Sequence, residues 1–200
     1  MTTAVILAGG KSRRFGRDKA LFPVAGQPMI VWVASAMRRV FDDIFVAGGD
    51  PSSFEKLGLR CFPDPLSDRG ALGGLYNGLA HTNSAQIFLC ACDMPFIVPE
   101  TVKVVLENIG SEQVTLPVID GKRQPLHAAY SRRILPLVEA TLEMPDMYLP
   151  ALLDQAKVRV VQEEAFVHIS DYHYSFVSLN DPESLQRYRH LLGRDQHQSQ

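Results

Sequence analysis

Five cations, Lys11, Arg13, Arg14, Arg17 and Lys19, fall within nine residues of this 200-residue chain. Only Asp18 opposes them, so the stretch carries about +4. The whole chain carries −2, which leaves −6 for everything else. Just upstream, a short apolar run (Ala4, Val5, Ile6, Leu7) feeds into Gly9-Gly10. A buried strand ending in paired glycines and a cationic loop is what polyphosphate binding requires. Glycines let backbone N–H groups approach the oxygens, and the cations offset the charge. Two carboxylates also follow apolar segments. Asp93 ends the run Ile87–Cys92 and precedes Met94-Pro95. It is either a magnesium ligand, working with substrate phosphate oxygens, or a turn residue satisfying backbone N–H groups. A strongly cationic loop facing it weighs toward metal with phosphate. Asp64 stands between Pro63 and Pro65. It either accepts from a nucleoside hydroxyl or base, or serves the turn; taken alone, the turn is the simpler role.

Other groups carry less chemistry. Gly10-Lys11-Ser12 imitates the end of a P-loop, but that motif needs a glycine where Val5 stands. A G-x-G-x-x-G run is absent as well. Cys90 and Cys92 share one face of a strand and read as packing, as does Cys61. The six histidines form no metal-binding spacing; His127, on the return strand of the hairpin, either reaches the site or has a structural role, the second being the simpler reading. Phe88, Tyr130 and Trp32 are assigned to the core.

The elements that must position these residues alternate strand and helix through the first half. Strands are predicted at 3–8, 44–47, 60–62 and 87–92, with helices at 29–40, 53–57, 71–81 and 99–109. Gly73, Gly74 and Gly78 weaken the 71–81 helix, so a strand or a ligand must pack closely on it. A hairpin turns at Asp120-Gly121 between 114–119 and 125–130. Helices follow at 132–142 and 149–156, strands at 158–161 and 175–179, and a last helix from Asp181 to Leu192, capped by Asn180 or Asp181. Such alternation predicts an α/β fold with a mostly parallel sheet, in which ligands bind outside the carboxyl ends of the strands. The glycine loop, Asp64 and Asp93 then share one rim.

Composition sets the class. With 46% apolar and 21% charged residues the chain is an ordinary globular protein, read as one domain over 1–192 with a polar tail at 193–200. A near-neutral charge does not point to nucleic acid, and no run approaches a membrane span. Three cysteines and the lack of a secretory pattern make the cytoplasm the expected compartment.

The motifs together carry a resemblance. L-A-G-G-K-S-R-R-F-G-R-D-K (7–19) resembles the signature loop of the molybdenum cofactor guanylyltransferase family, within the nucleotidyltransferase superfamily. P-D-P-L-S-D-R-G-A-L-G-G-L (63–75), A-C-D-M-P (91–95), P-L-H-A-A-Y-S (125–131) and F-V-S-L-N-D-P-E-S-L (176–185) are similar to its later motifs. The resemblance covers nearly the whole chain. It implies a three-layer α/β/α Rossmann-like nucleotidyltransferase fold and a Mg²⁺-dependent reaction of GTP with molybdopterin, or molybdenum cofactor, that gives the guanine dinucleotide and pyrophosphate. By position it implies that Leu7, Ala8 and Gly9 contact guanine and Gly10 the phosphates. Lys19 binds phosphate, Arg14 is aimed at the triphosphate, Asp64 contacts the nucleoside and Asp93 holds Mg²⁺. Gly70, Gly74 and Asn180 lie toward the pterin or the metal. Transient contacts with molybdoenzymes and their chaperones are implied too. Two positions depart from the pattern: Ala47 stands where an Asn is common, and Ser178-Leu179-Asn180 replaces N-x-N. The L-A-G-G form favours GTP. The rival readings are a cytidylyltransferase for the same pterin, a sugar-phosphate nucleotidyltransferase, and a non-catalytic nucleotide-binding module that delivers the cofactor.

Overall fold

A computed structural model describes residues 2–8, 18–145 and 148–191. In chain order the elements are β1 (Thr2–Leu7), β2 (Pro23–Val24), β3 (Gln27–Pro28), α1 (Met29–Arg38), β4 (Ile44–Ala47), α2 (Pro51–Glu55), β5 (Cys61–Phe62), α3 (Gly70–Ala80), β6 (Gln86–Ala91) and α4 (Pro99–Glu107). There follow β7 (Val114–Ile119), β8 (Lys122–Arg123), β9 (His127–Ser131), α5 (Leu135–Leu142), α6 (Leu149–Gln155), β10 (Val158–Val161) and α7 (Pro182–Tyr188). The main sheet runs β10-β7-β9-β6-β1-β4-β5, with β8 appended to β7. Along that path only β9 runs against its neighbours.

The apolar runs become central strands because both of their faces are covered. Ala4, Ile6, Val46, Phe88 and Cys90 pack with Ile30, Val33 and Val102 on one side of the sheet. Val5, Leu7, Phe45 and Leu89 pack with Leu72, Leu75, Val138 and Leu152 on the other. Helices α1 and α4 therefore cover one face and α3, α5 and α6 the other, the three-layer arrangement that the family resemblance implied.

Register places the chemistry. Leu7 is level with Ala47 on β4 and with Ala91 on β6, and Ala47 is level with Phe62 on β5. The carboxyl ends of four neighbouring parallel strands thus form one rim. Close packing holds α3 beneath it. A Cβ on Gly74 would lie 2.6 Å from Leu7 Cδ2, and one on Gly78 would lie 3.0 Å from Val5 Cγ1. What packs on these glycines is therefore the strand β1.

Four details differ from expectation. Residues 175–179 do not form a strand: Tyr172–Phe176 is a 3₁₀ turn and the chain then runs extended across the rim. Buried Ser175 spends its hydroxyl on Val98 N–H (2.8 Å) and Thr101, and Leu179 makes a single bond to the Asp93 carbonyl (2.8 Å) rather than a ladder. The helix expected at 132–142 opens with a 3₁₀ turn, Arg132–Ile134, because Pro136 has no N–H to continue an α ladder backward. The Asp120-Gly121 hairpin forms, with φ of 48° and 71°, but its return is only β8; β9 instead inserts between β7 and β6. Trp32 is half-buried rather than core, with its indole N–H on the Val24 carbonyl (2.9 Å). The capping expectation resolves to Asp181, whose Oδ1 accepts from Ser184 N–H at 2.7 Å.

Candidate active site

The rim assembles one polar centre. Lys19 Nζ donates to Asp93 Oδ2 at 2.6 Å and to Asn180 Oδ1 at 2.8 Å. Three distant segments supply these groups. Asp93 sits two residues past β6, whose end is tied to β1 by Cys92 N–H on the Leu7 carbonyl (2.9 Å). Its own carbonyl receives Leu179 N–H, so the extended C-terminal segment is pinned beside it and presents Asn180. Leu179 is fully buried with Val24 and Met29, which anchors that segment.

Lys19 is aimed by a turn. Asp18 Oδ1 accepts from Ala20 N–H at 2.9 Å, and Ile30 N–H reaches the Ala20 carbonyl at 3.0 Å. The start of α1 is thereby fixed to the lysine turn. Asp18 entered the sequence reading only as a charge opposing the loop. Its place directly before the lysine, with an amide two residues on, is the signal for an Asx turn.

Asp93 has a second feature. Its Oδ1 is buried and has no hydrogen-bond partner among the described residues. An ionised oxygen in that state is costly unless a cation meets it. The donor set therefore fits a divalent cation held by a single protein carboxylate, the mode in which Mg²⁺ takes its remaining ligands from water and phosphate. Among the described residues there is no group of three or more His, Cys, Asp or Glu that could hold a metal by themselves.

Asp64 lies at the end of β5, on the same rim. Its Oδ1 accepts from Leu66 N–H (2.8 Å), so the turn role holds, and burial pushes its carboxyl above the usual range. The other oxygen, Oδ2, is on the side of α3, 3.2 Å from where a Cβ on Gly73 would be. Leu7 and Ala8 close β1 at 8% and 7% exposure, and Ala8 N–H bonds the Ala47 carbonyl (3.0 Å). Gly70 opens α3, exposed, beside Arg69 and Tyr148 on a cleft of about 560 Å³. Gly74 is buried, and the room left by its missing side chain is taken by Leu7. Gly9, Gly10 and Arg14 lie outside the described residues.

The remaining candidates are structural. Cys90 and Cys92 are buried, which pushes their thiols up, and burial also raises Cys61, to about 11. His127 is fully buried against Phe88 and Phe176, with Nε2 3.2 Å from Thr101 Oγ1, and burial pushes it down to about 3. No helix among the described residues is long and apolar enough to cross a membrane.

Comparison with known proteins gives the family and the fold. The family described as the MobA-like NTP transferase domain matches residues 4–163. A probable molybdenum cofactor guanylyltransferase of Pelotomaculum thermopropionicum is 34% identical over 187 residues, covering 94% of this chain and 91% of its own. Another, of Natranaerobius thermophilus, is 31% identical, covering 96% and 97%. The crystal structure of molybdopterin-guanine dinucleotide biosynthesis protein A from Archaeoglobus fulgidus superposes with a TM-score of 0.82 at 22% identity, over 95% of this chain and 98% of that one, and so shares the fold. With a lysine–carboxylate centre on the rim of a mostly parallel sheet and a match across 160 consecutive residues, this chain belongs to the MobA-like NTP transferase domain family.

Proposed function

We propose that the protein transfers GMP from GTP to molybdopterin or the molybdenum cofactor, forming the guanine dinucleotide and releasing pyrophosphate. The observation that carries this reading is the Lys19–Asp93–Asn180 centre at the strand ends, with Lys19 closing the cationic stretch that follows L-A-G-G in the sequence. The names of the relatives at about one-third identity support the guanylyl group and the pterin acceptor.

In the reaction a terminal phosphate oxygen of the pterin attacks the α-phosphorus of GTP. The new P–O bond forms as the bond from the α-phosphorus to the bridging oxygen breaks, and pyrophosphate leaves with that electron pair. A phosphate nucleophile is already anionic near neutral pH, so the protein need not supply a strong base. Its task is in-line positioning and neutralisation of charge. Lys19 contributes a fixed cation, held in place by Asp93 and Asn180. Asp93 would hold Mg²⁺, which supplies charge neutralisation on phosphate oxygens. Asp64 takes the nucleoside, Leu7, Ala8 and Gly9 the base, Gly10 and Arg14 the triphosphate, and Gly70, Gly74 and Asn180 the acceptor side. The setting is the cytoplasm, with hand-over of the product to molybdoenzymes or their chaperones.

A cytidylyltransferase acting on the same pterin is the second reading. It is kept open by Ala47, buried at the end of β4, which offers no side-chain amide to select either base. Pyrophosphate release with GTP and with CTP, with and without molybdopterin, in Mg²⁺ buffer, decides between them. Release with GTP only when pterin is present is the expected result. Release with CTP instead, or release independent of pterin, overturns the guanylyl assignment.

A further inference from the structure

Helix α3 contains an asparagine that ordinary packing does not explain. Asn77 is 1% exposed. Its Nδ2 donates to the Phe62 carbonyl at 3.0 Å and to the Pro63 carbonyl at 3.3 Å. Its Oδ1 is buried and has no hydrogen-bond partner among the described residues. A buried acceptor left unmet is costly; a leucine of similar volume would avoid that cost but would remove the donor from the Phe62 and Pro63 carbonyls. The asparagine thus carries one unmet group in order to hold that peptide. Local rules broken in this way are characteristic of positions held for a site.

What the amide holds is the peptide leading into Asp64. β5 is the last strand of the sheet and two residues long. Its Phe62 carbonyl also accepts from Gly48 N–H at 2.9 Å, and one residue on, where the strand has ended, Asn77 supplies a donor to the Pro63 carbonyl. Prolines on either side restrict the backbone around Asp64, and Leu66 N–H fixes its Oδ1. One turn earlier on the same face of α3, Gly73 brings the helix backbone close: a Cβ there would lie 2.5 Å from the Leu66 carbonyl and 3.2 Å from Asp64 Oδ2. Gly74 and Gly78 on the adjoining face seat the same helix on Leu7 and Val5. One helix thus registers both the base end of β1 and the Asp64 turn.

We infer that Asn77 is a positioning residue for the nucleoside site, acting through Asp64 by holding the Phe62-Pro63 peptide. The inference rests on the assignment of Asp64 to the nucleoside. The amide orients the carboxylate relative to Leu7 and Ala8 and touches no substrate itself. Its loss misplaces a binding group and leaves the Lys19–Asp93 centre, on the far side of β1 and β4, intact.

The test is a double-mutant cycle with Asn77→Leu and Asp64→Ala, read as KM for the nucleoside triphosphate and as kcat. Asn77→Ala serves in place of Asn77→Leu if the larger side chain prevents folding, since both remove the donor. The expected result is that either Asn77 variant raises KM about tenfold, as losing hydrogen bonds to a binding element does, with kcat changed less than about twofold. In the Asp64→Ala background the same change adds no further rise in KM. Equal losses in both backgrounds, or a fall in kcat with KM unchanged, would overturn the positioning role while leaving the Asp64 assignment standing. If Asp64→Ala alone leaves KM unchanged, the nucleoside assignment of Asp64 is what fails, and the inference fails with it.

Discussion

Lys19 and Asp93 are 74 positions apart in the chain and meet at 2.6 Å, with side chains 14% and 17% exposed. The contact joins the end of the cationic loop to the end of β6, and Asn180 completes it from 161 positions away. An ammonium offers three donors, and two of them go to groups that are distant from it and from each other in the sequence. The same contact leaves Asp93 Oδ1 without a partner among the described residues, so one carboxylate serves the lysine on one side and is available to a cation on the other.

Asp93→Ala is expected to lower kcat for pyrophosphate release by about three orders of magnitude, the scale of losing charge neutralisation at a transferring phosphoryl group. Far-UV circular dichroism should remain that of the parent, because the buried core does not use this side chain. Chelation should silence the parent enzyme and added Mg²⁺ should restore it. Normal Mg²⁺-dependent turnover in the variant would remove Asp93 from the metal site.

Lys19→Ala is expected to weaken GTP binding by about ten- to a hundredfold, as removal of one charge-assisted contact to phosphate does. Isothermal titration reads this directly. Asn180→Ala should give a smaller loss in the same direction, about threefold to tenfold, since it frees the ammonium without deleting it. Unchanged affinity in Lys19→Ala would refute its phosphate role.

Gly74→Ala places a methyl group 2.6 Å from Leu7 Cδ2. Overpacking of this kind costs about 1–3 kcal/mol, and the better helix propensity of alanine returns about 1 kcal/mol. Net destabilisation of about 1 kcal/mol should appear as a lower urea midpoint with an unchanged slope. KM for GTP should rise as well, because Leu7 closes the strand assigned to the base. A variant as stable as the parent would show that Leu7 yields without cost.

His127 gives the fold an acid sensitivity. Burial holds the folded imidazole near 3, against an ordinary value of 6.5. A group depressed in this way stabilises the fold fully above its unfolded value, and the contribution is lost as pH falls from about 6.5 toward 3, at up to about 1.4 kcal/mol per pH unit. Urea unfolding at pH 7.5, 6 and 5 should show falling midpoints. His127→Phe, which keeps a ring between Phe88 and Phe176 but cannot titrate, should flatten that decline. An equal decline in the variant would assign the acid sensitivity to other groups.

Much of this was legible before any coordinates. Short apolar runs at 3–8, 44–47 and 87–92, bounded by turn signals and alternating with helical patterns, read as interior parallel strands, because both faces must be covered. From that follows one rim for Asp64 and Asp93, and the cation density of residues 11–19 is the sequence signal from which an anion ligand is expected. The paired hydrophobic and glycine pattern of α3 likewise required a close neighbour. Sequence could not name that neighbour as β1, because strand and ligand impose the same demand for small residues.

Tertiary structure alone decided the rest. Residues 175–179 (S-F-V-S-L) carry strand-forming side chains, yet they join no strand, and a single bond to the Asp93 carbonyl turns the segment into a strap. That strap is what delivers Asn180 to Lys19. Asn77 reads in sequence as an indifferent polar residue within a helix; only the fold shows it buried on two carbonyls where an edge strand ends. Side-chain type and spacing determine which chemistry is on offer and which strands carry it. Contacts between residues more than a hundred positions apart depend on how layers pack, and that information is spread over the whole core rather than written at any one site.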